Sequence, residues 1–162
     1  MEIKTEFRWA APADCALILE FIRDLAVYER MEKDVVTTRE MLSKWLFEKH
    51  AAEVIFAMVD GREVGFALFF SNFSTFAGRP GLYLEDVFVK PEYRGRGIGR
   101  SIFQQLAHIA VERGYARFEW SCLDWNSPSI AFYNSLGAKS MSDWTTFRVD
   151  GDTLSELAAQ VR

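Results

Sequence analysis

The sequence predicts an α/β (α+β) sandwich, a mixed central sheet flanked by helices, in one domain spanning 1–162. Three observations carry this. Two segments repeat apolar residues at spacings of three and four, Leu17, Ile18, Phe21, Ile22 and Leu25, then Ile98, Ile102, Phe103, Leu106, Ile109 and Ala110, as amphipathic helices packed on a sheet do. Between them, two strand-like runs flank Asp60-Gly61, the turn pair of a tight hairpin. Gly81 to Val89 is apolar on both faces apart from Glu85 and Asp86, the pattern of a strand covered on both sides.

The remaining elements follow in order. Ile3 to Trp9 alternates apolar and polar residues as a first strand. Pro12 suits a helix start, so residues 13 to 28 form the first helix. Residues 29 to 36 are a loop, and Thr37 with Glu40 forms a capping box before a short helix containing Met41, Leu42 and Trp45. Glu53 to Val59 and Glu63 to Phe70 are the hairpin, and residues 71 to 80 are a loop. The helix beginning near Ile98 stops at Gly114. Arg117 to Leu123 is the next strand and Ser127 to Leu136 a short helix. Ala138 to Ser142 and Trp144 to Val149 form a terminal strand pair, and a last helix starts near Asp152.

Composition excludes several function classes. The chain has 162 residues with 19 basic against 23 acidic, a net charge of −4. That balance argues against a nucleic-acid partner and leaves a cationic small molecule open. No apolar run reaches the roughly 18 residues a membrane span needs, and no leader pattern opens the sequence, so a cytoplasmic location is expected. Cys15 and Cys122 lack metal-ligand spacing, as do His50 and His108, so neither a disulfide framework nor a metal is expected.

The most specific segment runs Tyr93-Arg94-Gly95-Arg96-Gly97-Ile98-Gly99-Arg100, between a buried strand and a patterned helix. Small residues allow a tight turn, and the free N–H groups opening a helix attract an anion such as a pyrophosphate. Arg100 stands where the dinucleotide fingerprint needs its third glycine, and the triphosphate loop pattern is absent.

In this segment the chain resembles the GNAT acetyltransferases, whose pyrophosphate loop [QR]-x-x-G-x-[GA] is matched by Arg94, Gly97 and Gly99. Asn126-Ser127-Pro128-Ser129-Ile130-Ala131-Phe132-Tyr133, followed by Gly137, matches the family's second cofactor segment. Nearly the whole chain is similar to the branch of diamine (spermidine/spermine) and thialysine acetyltransferases, through Ala13 to Glu29, Leu82 to Val89, Tyr93 to Gly99 and Trp125 to Tyr133. The resemblance implies acetyl-CoA as cosubstrate, no metal, a small amine substrate and a homodimer. It implies a splay between the fourth and fifth strands for the cofactor. Backbone groups of Val87, Phe88 and Val89 would pair with the pantetheine arm, and the amides of Arg94, Gly95, Arg96, Gly97, Ile98, Gly99 and Arg100 would hold the pyrophosphate. Asn126, Ser129 and Tyr133 would complete the cofactor site. Tyr28, Glu29 and Glu85 would line the amine site, with Glu119, Trp120 and Ser121 on the opposite wall.

A primary alkylamine with a pKa near 10.4 is protonated at neutral pH and cannot attack a thioester. Glu85, in a largely apolar strand, is the expected general base, directly or through one water, with its pKa raised by burial; Asp86 is its competitor. By resemblance Tyr133 would protonate the leaving thiolate. Transfer would be direct, with the oxyanion of a tetrahedral intermediate met by a backbone N–H near Val87. Ser74 and Thr75 stand where polyamine enzymes of this branch have Asp-Pro and thialysine enzymes Ser-Thr. That favours a thialysine- or lysine-like amino acid or a short diamine over spermidine or spermine. A protein N-acetyltransferase and a non-catalytic acyl-CoA-binding module are the rival readings.

Overall fold

The computed structural model describes residues 3–161, in two compact units divided between Ser121 and Cys122. The first is built on a five-stranded sheet in sequential order, β1 (Glu6–Trp9), β2 (Glu53–Val59), β3 (Arg62–Ser74), β4 (Arg79–Val89) and β5 (Phe118–Trp120). The first four strands are antiparallel, and β5 joins β4 in parallel, so the sheet is mixed as the sequence predicts.

Helix α1 (Cys15–Glu29) packs one face of this sheet. Its Ile18 and Phe21 are fully buried, and the Phe21 ring stacks on Phe66 at 5.1 Å and lies 5.9 Å from Phe56. Helix α2 (Arg39–Leu42), prolonged by a wider turn over Ser43–Glu48, adds Leu42 and Leu46 to the same cluster. Helix α3 (Ile98–Glu112) serves the other face, where Phe103 meets Phe118 and Trp120 at 5.6 and 4.8 Å. Two covered faces explain why β4 is apolar on both.

Several elements differ from expectation for physical reasons. The first strand begins at Glu6 instead of Ile3, because its partner β2 runs out: Glu6 faces Met58, and the chain then enters the Asp60-Gly61 turn. The short helix is capped by Thr38, whose hydroxyl accepts from the Met41 N–H at 3.2 Å, one residue later than Thr37. The segment 71 to 80 is not a loop. Strands β3 and β4 pair out to Ser74 and Arg79, and the turn between them is closed by the Ser74 hydroxyl, which accepts from the Ala77 N–H at 3.2 Å.

The second unit holds α4 (Ser127–Ser135) and α5 (Gly151–Ala158). Between them the expected strand pair, Ala138 to Ser142 and Trp144 to Val149, is not formed. A turn closed by the Trp144 N–H on the Met141 carbonyl interrupts the segment, and Trp144 and Phe147 lie exposed. An alternating sequence makes a strand only where a ladder partner takes its backbone groups.

Candidate active site

Tyr28 and Glu29 close α1, which Arg30 ends in a left-handed conformation at φ 61°. Across from them, the β3–β4 register skips one residue. Leu68 faces Asp86 while Phe69 faces Leu84, so Glu85 is the extra residue of a β-bulge. The bulge reverses the alternation of β4. Leu84 pairs with Trp120 on the α3 face, whereas Asp86 shares the α1 face with Leu68 and Phe88, both packed in the α1 cluster.

Electrostatics register this placement. The Asp86 carboxyl is pushed up to about 7, first by burial, then by repulsion from Glu85 and Glu29. Burial also raises Glu29. Glu85 itself is exposed at the bulge, so the expectation of a buried Glu85 is corrected: the less exposed carboxylate of the pair is the half-buried Asp86. Three acidic side chains thus converge where α1 ends against β4, a suitable receptor for an ammonium.

The parallel ladder of β4 and β5 covers only Leu82 to Leu84. From Glu85 to Val89 that edge of β4 has no strand partner among the described residues, which is the splay the resemblance implies. Beyond it lies the glycine loop. Gly95 and Gly97 adopt left-handed φ of 73° and 85°, angles that carry no steric penalty only for glycine. Gly97 caps α3 without a side-chain hydrogen bond, so the first-turn amides of Ile98 and Gly99 have no intrahelical acceptor. The Arg94 amide is different, since it donates to the Pro91 carbonyl at 3.2 Å. Its side chain turns back: Nε donates to the Val89 carbonyl at 2.9 Å, and the guanidinium lies over the rings of Tyr28 and Phe88. Arg94 therefore ties the loop to β4 and α1.

On the facing strand, the Ser121 and Tyr83 hydroxyls are hydrogen-bonded at 2.7 Å, and Glu119 lies opposite Tyr83 on the same face. Trp120 does not join them. Its side chain packs edge-on to Phe103, because neighbours along a strand alternate faces. In the second unit, the buried Asn126 caps α4, its side-chain oxygen accepting from the Ser129 N–H at 3.4 Å. Tyr133 lies one turn on, its ring 5.6 Å from Phe132.

A cavity of about 450 Å³ is lined by Trp9, Phe47, His50 and Phe70 among others and by none of the expected site residues. Among the described residues no cluster of His, Cys, Asp and Glu has the makings of a metal site. No helix among them is long and apolar enough to cross a membrane. Sequence reading missed the bulge, Arg117 and Asn72. The first has no residue signature, but Arg117 and Glu119, opposite charges two apart on one strand, were a visible signal.

Residues 18–138 match the acetyltransferase (GNAT) family, a span that includes the acidic cluster, the glycine loop and Tyr133. The chain belongs to this family. It is an N-acetyltransferase, an acyltransferase that delivers an acetyl group to an amine. It is similar to the thialysine N-epsilon-acetyltransferase of Sus scrofa, at 36% identity over 94% of this chain and 96% of the relative. The L-ornithine N5-acetyltransferase of Arabidopsis thaliana is 27% identical over 94% of this chain and 87% of its own length. Among solved structures, an integron cassette protein from the mobile metagenome of V. cholerae superposes with a TM-score of 0.80 at 25% identity, covering 96% of this chain and 98% of that one.

Proposed function

We propose that this GNAT enzyme moves the acetyl group of acetyl-CoA directly onto the side-chain amine of a small diamino acid, thialysine, lysine or ornithine, or onto a short diamine. The observation that carries the reading is the convergence of Glu29, Glu85 and Asp86 beside an open edge of β4. The relatives that act on thialysine and ornithine support the substrate class.

The chain's residues fit acetyl-CoA. The left-handed Gly95 and Gly97 and the uncapped start of α3 suit its pyrophosphate, and the edge of β4 past Leu84, without a strand partner among the described residues, suits its extended arm. When bound, acetyl-CoA supplies the acetyl group as an activated thioester, with the CoA thiolate as the leaving group. Arg94, Arg96 and Arg100 add positive charge around the loop.

The acidic residues prepare the amine. Glu85, outermost on the bulge, meets the incoming ammonium and takes its proton directly or through one water. Asp86, titrating near 7 behind it, sets the pH at which the pair carries full negative charge. Glu29 and Tyr28 form the α1 side of the pocket. Tyr133 is the proton donor to the departing thiolate, a role supported by its place in the matched segment. We further propose a homodimer, on the branch resemblance.

Ser74, whose hydroxyl closes the β3–β4 turn, pairs with Arg79, which is six residues along β4 from Glu85, roughly 20 Å. Its part in substrate choice is therefore not carried by this site, and the preference for a diamino acid rests on the acidic cluster and the relatives. Mass spectrometry of products from thialysine, putrescine and spermine in competition tests the reading. Acetylated thialysine is expected to dominate. Predominant acetylation of spermine, or of a peptide amine added to the same mixture, would overturn it.

A further inference from the structure

We infer that Glu119 on β5 and Arg117 just before it form a receptor for the amino-acid head group, Arg117 for the α-carboxylate and Glu119 for the α-ammonium. The inference rests on the reading above and locates the end of the substrate away from the reacting amine. Glu119 Oε1 is already occupied, taking the Arg117 Nε–H at 2.8 Å and the Asn72 Nδ2–H at 3.3 Å. Its second oxygen and the two Nη groups of Arg117 have no partner among the described residues. Both side chains are partly exposed, at 40% and 35%. One free cationic fork next to one free carboxylate oxygen is the inverse of a zwitterion. A planar guanidinium suits bidentate contact with a carboxylate.

The backbone explains why the pair is held this way. Gly81 lies between Asn72 on β3 and Arg117, which leads into β5. A Cβ there would come within 2.6 Å of Asn72 Oδ1 and 2.9 Å of Arg117 Cγ. Without that carbon, Asn72 reaches across β4 to Glu119 and fixes its rotamer. The Asn72 Oδ1 is itself buried with no hydrogen-bond partner, a cost that is tolerated when the other end of the amide orients a charged group.

Spacing then joins the two ends of the substrate. Glu119 faces Tyr83, three residues before Asp86 on β4, with one of the three taken up in the bulge. Tyr83, Glu119 and Asp86 share the α1 face. The separation along the strand is therefore roughly 7 to 10 Å, the reach of a lysine-length side chain. A head group on β5 delivers its terminal amine to the acidic cluster.

The test compares thialysine with its decarboxylated diamine in the wild type and in Arg117→Met. The wild type is expected to prefer thialysine, and the variant to lower the ratio of the two specificity constants by about tenfold or more. A structural defect in β5 lowers both constants together and leaves the ratio in place, which would overturn the assignment. Glu119→Gln is the second arm: it should narrow the preference for thialysine over its Nα-acetyl form, which lacks the α-ammonium. An unaltered preference would overturn that half. If the wild type acetylates neither amine, the functional reading itself fails, an outcome distinct from a wild type whose selectivity ignores Arg117.

Discussion

The guanidinium carbon of Arg94 lies 5.1 Å from the centre of the Tyr28 ring and 5.0 Å from that of Phe88, so one side chain of the glycine loop rests on the α1 wall of the amine pocket. With its Nε bonded to the Val89 carbonyl at 2.9 Å, Arg94 links both halves of the site. Arg94→Met should raise the amine KM and the acetyl-CoA Kd together, each by about threefold to thirtyfold, the range of a cation–π contact of about 0.5 to 2 kcal/mol. Calorimetry for the cofactor and steady-state kinetics for the amine give the two numbers. A change in acetyl-CoA affinity alone would reduce Arg94 to a phosphate contact.

Asp86 makes a prediction about stability with a definite sign. Its folded pKa of about 7 lies above the ordinary 3.8, so the folded state holds the proton more tightly than the unfolded one. Its contribution to stability is fully present below pH 3.8 and is lost as pH rises to 7, a change on the order of 4 kcal/mol. Asp86→Asn removes the titrating group. Its melting temperature should exceed that of the wild type by more at pH 8 than at pH 5, and equal differences at both pH values would contradict the assignment.

The same carboxyl should shape the pH dependence of catalysis. The Glu85–Asp86 pair accepts a proton only when deprotonated, so kcat/KM should rise with pH through about 7 before other groups titrate. In Asp86→Asn this limb should move or disappear, with turnover reduced at every pH. An unaltered inflection would remove Asp86 from the pair.

Tyr133→Phe keeps the ring and its contact with Phe132 while deleting the hydroxyl. Turnover at saturating substrates should fall by about a hundredfold or more, the usual contribution of a general acid, with acetyl-CoA affinity nearly intact. Stopped assays of kcat beside a binding isotherm separate the two. Unchanged kcat would leave Tyr133 a packing residue.

The parts of this fold that were legible in the sequence are those written in local chemistry. Asp60-Gly61 specified a tight turn, and both adopt positive φ, 48° and 73°. The stripe from Ile98 to Ala110 specified a helix because one face had to be buried. The extension of β3 through Asn72 and Phe73 was hidden, since Ser, Gly and Pro there read as a loop while cross-strand pairing with Gly81 and Pro80 makes a ladder. Of the site, the acidic residues and the glycine loop could be read from their order. Which carboxylate is the less exposed could not, because Glu85 is the extra residue of a bulge that only the register reveals.

Gly97 separates backbone strain from cofactor binding. At φ 85° it caps α3 in a conformation that costs a side-chain-bearing residue about 1 to 2 kcal/mol, and its amide belongs to the proposed pyrophosphate cradle. Gly114, at the other end of α3, has a similar φ of 69° with open space where a Cβ would stand. Alanine at either position should therefore lower stability by a comparable amount. Only Gly97→Ala should also weaken acetyl-CoA binding, by about tenfold or more, because straightening the turn swings the Ile98 and Gly99 amides off a common focus. Thermal melts without cofactor measure the first effect and calorimetry with acetyl-CoA the second. Equal affinities in the two variants would show that the helix start holds no phosphate, whereas loss confined to Gly97→Ala assigns the cradle to this loop.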